Sequence, residues 1–130
     1  MSTFVPQTLN LRPDIFTIER HDSEEIVGTA DWVALVRAPQ GLTVIRTVPT
    51  ATPTAPDATY GWRAFQGQSS HELDVPGMLL SILAPLGDAG LPVFAASTYD
   101  ADLVLVPASH AEKAAEVLRT AGHEVTPNTK

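Results

Sequence analysis

One helix-forming stretch with marked ends limits what this chain can fold into. From residue 76 to residue 90, apolar side chains recur at the i, i+3, i+4 and i+7 spacing that places them on one face of an α-helix. These residues are Leu79, Ile82, Leu83 and Leu86. The segment Asp74-Val75-Pro76-Gly77 lies at the start of this stretch. Gly90 stands at its end, where a glycine commonly ends a helix. The pattern predicts an amphipathic helix that packs its apolar face against a core.

Pro85 lies inside this predicted helix. A proline has no amide hydrogen, so it cannot donate to the carbonyl of Ser81, four residues earlier. Ser81, Pro85 and Asp88 share the face opposite the apolar one, and we therefore expect water to satisfy the Ser81 carbonyl. The helix is expected to kink or to be held straight by strong packing.

Strand patterns surround this helix in the second half of the chain. They fall at residues 62–65, 92–97, 103–106 and 123–126. The two apolar runs at 92–97 and 103–106 are expected to be central strands. Ser109-His110-Ala111-Glu112 has the spacing of a capping box at the start of a second helix that runs to Gly122. The order βαββαβ predicts an α+β, ferredoxin-like fold with one antiparallel sheet and two helices on one face.

The first half is rich in strand patterns and poor in helix. Strands are predicted at residues 9–11 and 15–20 and, joined as a hairpin by Ala38-Pro39-Gln40-Gly41, at 32–37 and 42–48. Ser23 can cap one helical turn over the residues that follow it. Residues 49–59 carry three prolines among small residues and predict an extended connector. We therefore predict a mostly β domain over residues 1–59, connector included, and a βαββαβ domain over residues 60–127.

Composition excludes several function classes. Fifteen acidic and eight basic side chains give a formal charge of −7, which repels a phosphate backbone, so we expect no nucleic-acid partner. No apolar run approaches the ~20 residues that span a bilayer, and the start of the chain lacks the features of a secretory signal. We expect a cytoplasmic protein with no membrane partner. The absence of cysteine excludes disulfides and thiolate chemistry.

Catalytic and metal-binding motifs are also absent from the sequence. The chain contains no Gly-rich phosphate loop, no Gly-x-Ser-x-Gly and no His-Glu-x-x-His, so we expect neither an enzyme nor a cofactor. Possible metal ligands gather only in His21-Asp22-Ser23-Glu24-Glu25. A solvated acidic loop that leads into a helical turn explains that segment without a metal ion, and we expect no metal site.

Two segments carry a resemblance to a known family. Residues 73–93 look like the ACT-domain signature, in which Asp-x-Pro-Gly-x-Leu opens a helix and a glycine before an apolar strand closes it. Residues 97–106 are similar to a segment of a narrower branch, the small bacterial tandem-ACT proteins and the animal cytosolic arginine sensors that regulate TOR signalling. The first half lacks Asp-x-Pro-Gly, so it resembles a degenerate ACT-like half. The resemblance implies a non-catalytic amino-acid sensor that forms a homodimer.

The resemblance also implies a ligand site with two walls. One wall is the helix start, with Asp74, Val75, Pro76, Gly77, Met78 and Leu79, and the other contains Ser97, Thr98, Tyr99 and Asp102. Elementary electrostatics favours the same helix start, because its unpaired amides and positive dipole end suit an α-carboxylate. A carboxylate such as Asp102 or Asp74 can offset a cationic group of the ligand.

Purely structural explanations stay open for these residues. Asp74 can act only as a helix cap, Pro76 can be an ordinary early-helix proline, Gly77 can reflect packing, and Asp102 can be a solvated turn residue. Two hypotheses about function follow. The first is an amino-acid sensor with its ligand at a subunit interface, and the second is an ACT scaffold without a ligand that binds a protein partner.

Overall fold

The computed structural model describes residues 4–28, 32–47, 57–67, 76–99 and 102–127. In chain order these contain β1 (Thr8–Leu11), β2 (Phe16–His21), β3 (Trp32–Ala38), β4 (Gly41–Thr47), β5 (Asp57–Gly67), α1 (Met78–Asp88), β6 (Phe94–Ser97), β7 (Asp102–Pro107), α2 (Ala111–Ala121) and β8 (Glu124–Pro127). Short 3-10 segments lie at Glu24–Gly28 and Ala108–His110. No helix among the described residues is long and apolar enough to cross a membrane.

Contacts divide the chain into two units. The larger unit combines Met1–Pro13 with Arg63–Lys130, and the smaller unit is Asp14–Trp62. Strand β1 therefore packs with the second half of the sequence. The division into domains at residues 1–59 and 60–127 stays a prediction, because packing contacts do not report which parts fold independently.

The larger unit has the predicted α+β, ferredoxin-like arrangement of a sheet with two helices. Its strands follow the order β8-β1-β5-β7-β6. Two details of the prediction are wrong. The sheet is mixed, because β1 lies parallel to β8 and antiparallel to β5. The first apolar run after α1 is not central, since β6 pairs only with β7 among the described strands.

The two helices cover one core in the larger unit. The predicted apolar face of α1 is confirmed by Ile82 and Leu86, which are fully enclosed. On α2 the buried residues are mostly alanines followed by Leu118, and small side chains let a helix lie close to its neighbours. Strand residues complete this cluster: Leu9, Leu11, Phe65, Val104, Val106 and Val125.

The carbonyl freed by Pro85 is satisfied by a side chain that is distant in sequence, at the residue just before β8. Asp88 is exposed as predicted, but Ser81 is only 4% exposed, so the expectation that it faces water is wrong. His123 Nε2 lies 2.7 Å from the Ser81 carbonyl oxygen. The Gln7 backbone N–H donates to His123 Nδ1 over 3.1 Å. Because an N–H group only donates, Nδ1 must be the acceptor and Nε2 must carry the proton. His123 thus holds the neutral tautomer that donates to Ser81.

The segment before β1 is tied to α1 and β8 by further hydrogen bonds. The Val5 N–H donates to Ser81 Oγ over 2.9 Å, and Ser81 Oγ donates to the Gly77 carbonyl over 2.6 Å. Gln7 Nε2 donates to the Met78 carbonyl over 2.8 Å, and the Glu124 N–H donates to the Gln7 carbonyl over 2.9 Å. These bonds explain why the described segment before β1 belongs to the larger unit.

The start of α2 differs from the predicted capping box. Ser109 lies within the 3-10 segment Ala108–His110, and the N-cap of α2 is His110. No side chain caps either segment. Ser109 is therefore one residue too early to be the N-cap. The predicted end at Gly122 is confirmed, because Gly122 adopts φ +117° and its N–H bonds to the last turn.

The smaller unit has the strand order β3-β4-β2-β5, with the first part of β5 at its edge. The predicted hairpin is confirmed as β3 and β4, and Ser23 Oγ accepts from the Glu25 N–H as predicted. Residues 49–56 of the predicted connector lie outside the described residues. Its last three residues are not connector, because β5 begins at Asp57 and pairs there with β2.

A buried charge cluster lies in the smaller unit. Glu19 is fully enclosed, and its two oxygens bond to Arg46 Nε at 3.0 Å and to His21 Nε2 at 2.7 Å. Burial raises the pKa of Glu19, but the hydrogen bonds and charges of His21 and Arg46 outweigh it, so the pKa is lowered overall from 4.5. Both oxygens have partners, which makes this cluster structural.

Removing the imidazole of His123 tests the link to Pro85. His123→Ala leaves the Ser81 carbonyl and the Gln7 amide unpaired, and we expect a loss of about 3 kcal/mol in the free energy of unfolding. In a Pro85→Ala background the new backbone amide at position 85 can donate to Ser81, so the same substitution should cost about 1 kcal/mol less. Chemical denaturation of the four proteins in this cycle measures the difference. Equal costs in both backgrounds would contradict the role given to the Ser81 carbonyl, and His110→Ala is the exposed-histidine control.

The Glu19 cluster predicts a dependence of stability on pH. Because the native pKa lies below 4.5, the unfolded chain takes up the proton first, and this stabilisation is full above about pH 4.5 and is lost as pH falls through the native pKa. Glu19→Gln leaves Arg46 buried without its counter-charge and should cost about 3 kcal/mol at neutral pH. Denaturation curves between acid and neutral pH should show a steeper acid-side loss in the native sequence than in the variant. Parallel curves would contradict this assignment.

Candidate functional site

Gly77 forms the N-cap of α1 in a conformation that requires glycine. Its φ is +85°, in the left-handed region that side chains disfavour. This conformation excludes the explanation that Gly77 is present only for packing. Pro76 precedes the N-cap, so it is not an early-helix proline. Among the described residues no side chain caps this end, and the first-turn amides have no acceptor inside the helix.

Ser97 and Asp102 form a hydrogen-bonded pair where β6 and β7 meet. They are directly opposite in the antiparallel register, and Ser97 Oγ donates to Asp102 Oδ1 over 2.7 Å. Asp102 is only 6% exposed, which excludes the solvated-turn interpretation. Its second oxygen, Oδ2, is buried and has no hydrogen-bond partner among the described residues. An unpaired oxygen on a buried carboxylate is energetically costly unless a ligand or another group completes it.

Topology brings the helix start and the Ser97–Asp102 pair to the same end of the sheet. The first residues of β1 lie beside the end of β5 and the start of β8, and the Gln7–Met78 hydrogen bond places the start of α1 there too. Helix α2 runs from the end of β7 back to the start of β8. Strand β7 therefore begins at the same end of the sheet as β8. We call it the upper end of the sheet.

The two walls also share a side of the sheet. Side chains alternate along β7, so Asp102 faces the same side as Val104 and Val106, which pack in the core with Ile82 and Leu86 of α1. Asp102 therefore lies on the helix-covered face at the upper end. An uncapped helix start and a half-satisfied carboxylate on one side of one sheet end can receive a ligand with both an anionic and a cationic group.

The other predicted site residues have different settings. Asp74 and Val75 lie outside the described residues. Leu79 is half-buried and packs against the core cluster, so its side chain supports α1. Thr98 is exposed, and Tyr99 is 77% exposed in the loop that follows β6. An aromatic side chain this open at the edge of the site is suited to contact a ligand or a second molecule.

A groove at the same end contains residues that sequence reasoning missed. Its volume is about 280 Å³, and it is lined by Pro6, Gln7, Thr8, Met78, Gly122 and Glu124. Of the predicted site residues that the structure describes, only Met78 lines it. No local pattern could identify the others, because Thr8 and Glu124 meet only through the long-range pairing of β1 with β8.

The described residues contain no group of three His, Asp or Glu side chains placed to hold a metal ion. Within the acidic segment singled out above, His21 bonds to Glu19, and Glu24 forms an ion pair with Arg37. Both contacts give these side chains structural partners.

Comparison with known proteins supports the resemblance to ACT domains, and the similarity to the narrower branch stays a prediction. Residues 57–120 match the family model described as an ACT domain. No curated protein matches this chain in sequence.

Several solved structures are similar to the chain over most of its length. Protein Atu0741 from Agobacterium tumefaciens has 25% identity and a TM-score of 0.80, with 97% of this chain and 96% of that chain covered. Protein VC0802 from Vibrio cholerae has 16% identity and a TM-score of 0.71, with 85% of each chain covered. The regulatory subunit of aspartate kinase from Thermus thermophilus has 14% identity and a TM-score of 0.62, with 87% and 95% covered. The last two comparisons show a shared fold.

Two glycines of the same segment should respond in opposite ways to alanine. Gly77→Ala places a Cβ at φ +85° and should cost about 1–2 kcal/mol of stability. Gly87 lies inside α1 with nothing within 4 Å of an added Cβ, so Gly87→Ala should stabilise by up to about 1 kcal/mol. Chemical denaturation compares the two variants. A loss at both positions, or at neither, would contradict the conformation assigned to the helix start.

Proposed function

We propose that this chain, in which residues 57–120 form an ACT domain, is a non-catalytic regulatory protein that binds a free amino acid. The site lies at the upper end of the sheet, between the start of α1 and the Ser97–Asp102 pair. One observation carries the proposal: the Oδ2 atom of Asp102 is buried and has no hydrogen-bond partner in the part of the chain that the structure describes.

The charges of the two walls match the two charges common to every amino acid. Asp102 Oδ1 accepts from Ser97, and an ammonium group of the ligand would give Oδ2 its missing donor. The uncapped start of α1 offers backbone amides and a positive dipole end to the α-carboxylate. These are binding groups, and no catalytic step is part of the proposal.

The positive φ of Gly77 supports the role of the helix start. A residue without a side chain at the N-cap leaves the first-turn amides accessible from outside. The Ser81 hydroxyl and the Ser81 N–H both donate to the Gly77 carbonyl, which fixes the orientation of this peptide. A rigid cap reduces the entropy lost when a ligand binds.

Similarity to other proteins supports a regulatory role. The Thermus thermophilus relative in fold is a regulatory subunit of aspartate kinase, described in a ligand-free form. The Ser-Thr-Tyr-x-x-Asp segment is similar to the one in cytosolic arginine sensors, and this favours an amino acid as the ligand. The exposed Tyr99 supports a homodimer in which a second copy covers the site, so that ligand binding changes the subunit contact.

Substitution of Asp102 by asparagine separates ligand binding from folding. Asp102→Asn keeps an oxygen for Ser97 and removes the buried charge, so the unliganded variant should be as stable as the native protein or about 1 kcal/mol more stable. A thermal-shift screen of the twenty amino acids at millimolar concentration should find at least one that stabilises the native protein. We expect that ligand to bind Asp102→Asn at least about tenfold more weakly, since a charge-assisted bond is lost.

The control for this experiment is Asp88→Asn at the exposed end of α1, which should bind the ligand like the native protein. The proposal fails if no amino acid stabilises the native protein, or if Asp102→Asn binds the ligand with unchanged affinity.

A further inference from the structure

We infer that the groove lined by Pro6, Gln7, Thr8, Met78, Gly122 and Glu124 is a second binding site, which takes a small primary ammonium compound with a short apolar body. This inference does not rest on the amino-acid site: Met78 at the start of α1 lines the groove, but Asp102 and Ser97 do not. Four observations support it: the shape of the groove, the rigidity of its walls, its charge and its apolar surface.

The groove has the size of a small ligand. Its volume of about 280 Å³ corresponds to roughly nine water molecules at the density of the liquid. Gly122 lines the groove with its backbone at a φ of +117°, and the space beside its Cα is taken by the Phe4 ring, whose Cε2 would lie 3.2 Å from an added Cβ. A molecule of fewer than about ten non-hydrogen atoms fits this space.

Backbone hydrogen bonds hold the walls of the groove. The Gln7 N–H donates to His123, and the Gln7 carbonyl accepts from the Glu124 N–H over 2.9 Å. The Gln7 side-chain amide bridges to the Met78 carbonyl over 2.8 Å. The Gly122 N–H donates to the Arg119 carbonyl over 3.1 Å. The groove is therefore formed before a ligand arrives, which lowers the entropy cost of binding.

The charge of the groove favours a cation. Glu124 is the one charged side chain among the described lining residues, and Thr8 Oγ1 donates to its Oε1 over 3.3 Å. The C-terminal end of α2 reaches the groove at Gly122 and the start of α1 reaches it at Met78, so the opposite partial charges of the two helix ends offset each other and the Glu124 carboxylate sets the sign. The Arg119 guanidinium is bonded to the Val125 carbonyl and does not line the groove.

The apolar part of the groove lining determines which class of cation the groove binds. Met78 and Pro6 present apolar groups, and a hydrated metal ion gains nothing from them. A primary ammonium group has three donors and can bond to the Glu124 carboxylate while its carbon chain lies against Met78. This combination identifies an alkylammonium compound as the ligand class.

The test is an NMR titration of the ¹⁵N-labelled full chain with n-butylammonium chloride. We expect saturable shifts of the Thr8, Gly122 and Glu124 amides, and no such shifts with n-butanol or with sodium chloride at the same ionic strength. Glu124→Gln should raise the Kd about tenfold, because a charge-assisted hydrogen bond becomes a neutral one. Glu116→Gln, on the exposed face of α2, removes the same charge elsewhere and should keep the native Kd.

Asp102→Asn should also keep the native Kd for butylammonium, which separates this site from the amino-acid site. The inference is overturned if n-butanol produces the same shifts as n-butylammonium, if no shift saturates, or if Glu124→Gln and Glu116→Gln have equal effects. The comparison of butylammonium with butanol in the native protein decides the question even where a variant fails to fold.

Discussion

The hydrogen bond from His123 to the Ser81 carbonyl connects the parts on which both sites depend. Pro85 leaves that carbonyl without its helical donor, and a residue 42 positions later in the chain supplies one. His123 can donate there only as the tautomer that the Gln7 amide selects. The start of the chain, the middle of α1 and the entry to β8 are therefore held by a single imidazole. Both the groove and the uncapped start of α1 lie next to this connection.

Local sequence patterns predicted much of the fold. The spacing of Ile82 and Leu86 identified the buried face of α1, and Gly122 identified the end of α2. The failures involve partners that are distant in sequence. Ser81 was predicted to face water because no residue near it in sequence indicates its contact with His123. Likewise, a four-residue strand such as β1 carries no signal that it will insert between β5 and β8. Ser109 failed for a different reason, since a 3-10 turn precedes α2 and moves its N-cap to His110.

The candidate site was predicted in part. Gly77 and Asp102 were singled out from sequence, and the structure gives each a physical reason, a positive φ and a buried carboxylate. Sequence could not show that Asp102 would be buried, because burial depends on how β6, β7 and α1 pack. It also could not identify Glu124 or Thr8, which are ordinary polar residues until β1 and β8 pair.

Three carboxylates illustrate how surroundings distinguish structural from binding roles. Glu19 has a cationic or imidazole partner at each oxygen, which accounts for its burial. Glu124 is exposed beside a groove, and Asp102 is buried with one of its two oxygens satisfied by Ser97. The central claim is that the ammonium group of an amino acid donates to Asp102 Oδ2, while the α-carboxylate of the same amino acid binds at the start of α1. The most direct measurement is an NMR titration of the protein with the amino acid that stabilises it. The titration follows the backbone amide signals of Gly77–Leu79 and of Ser97–Asp102. The claim predicts that both segments shift with one Kd, and shifts confined to one segment, or two different Kd values, would contradict it.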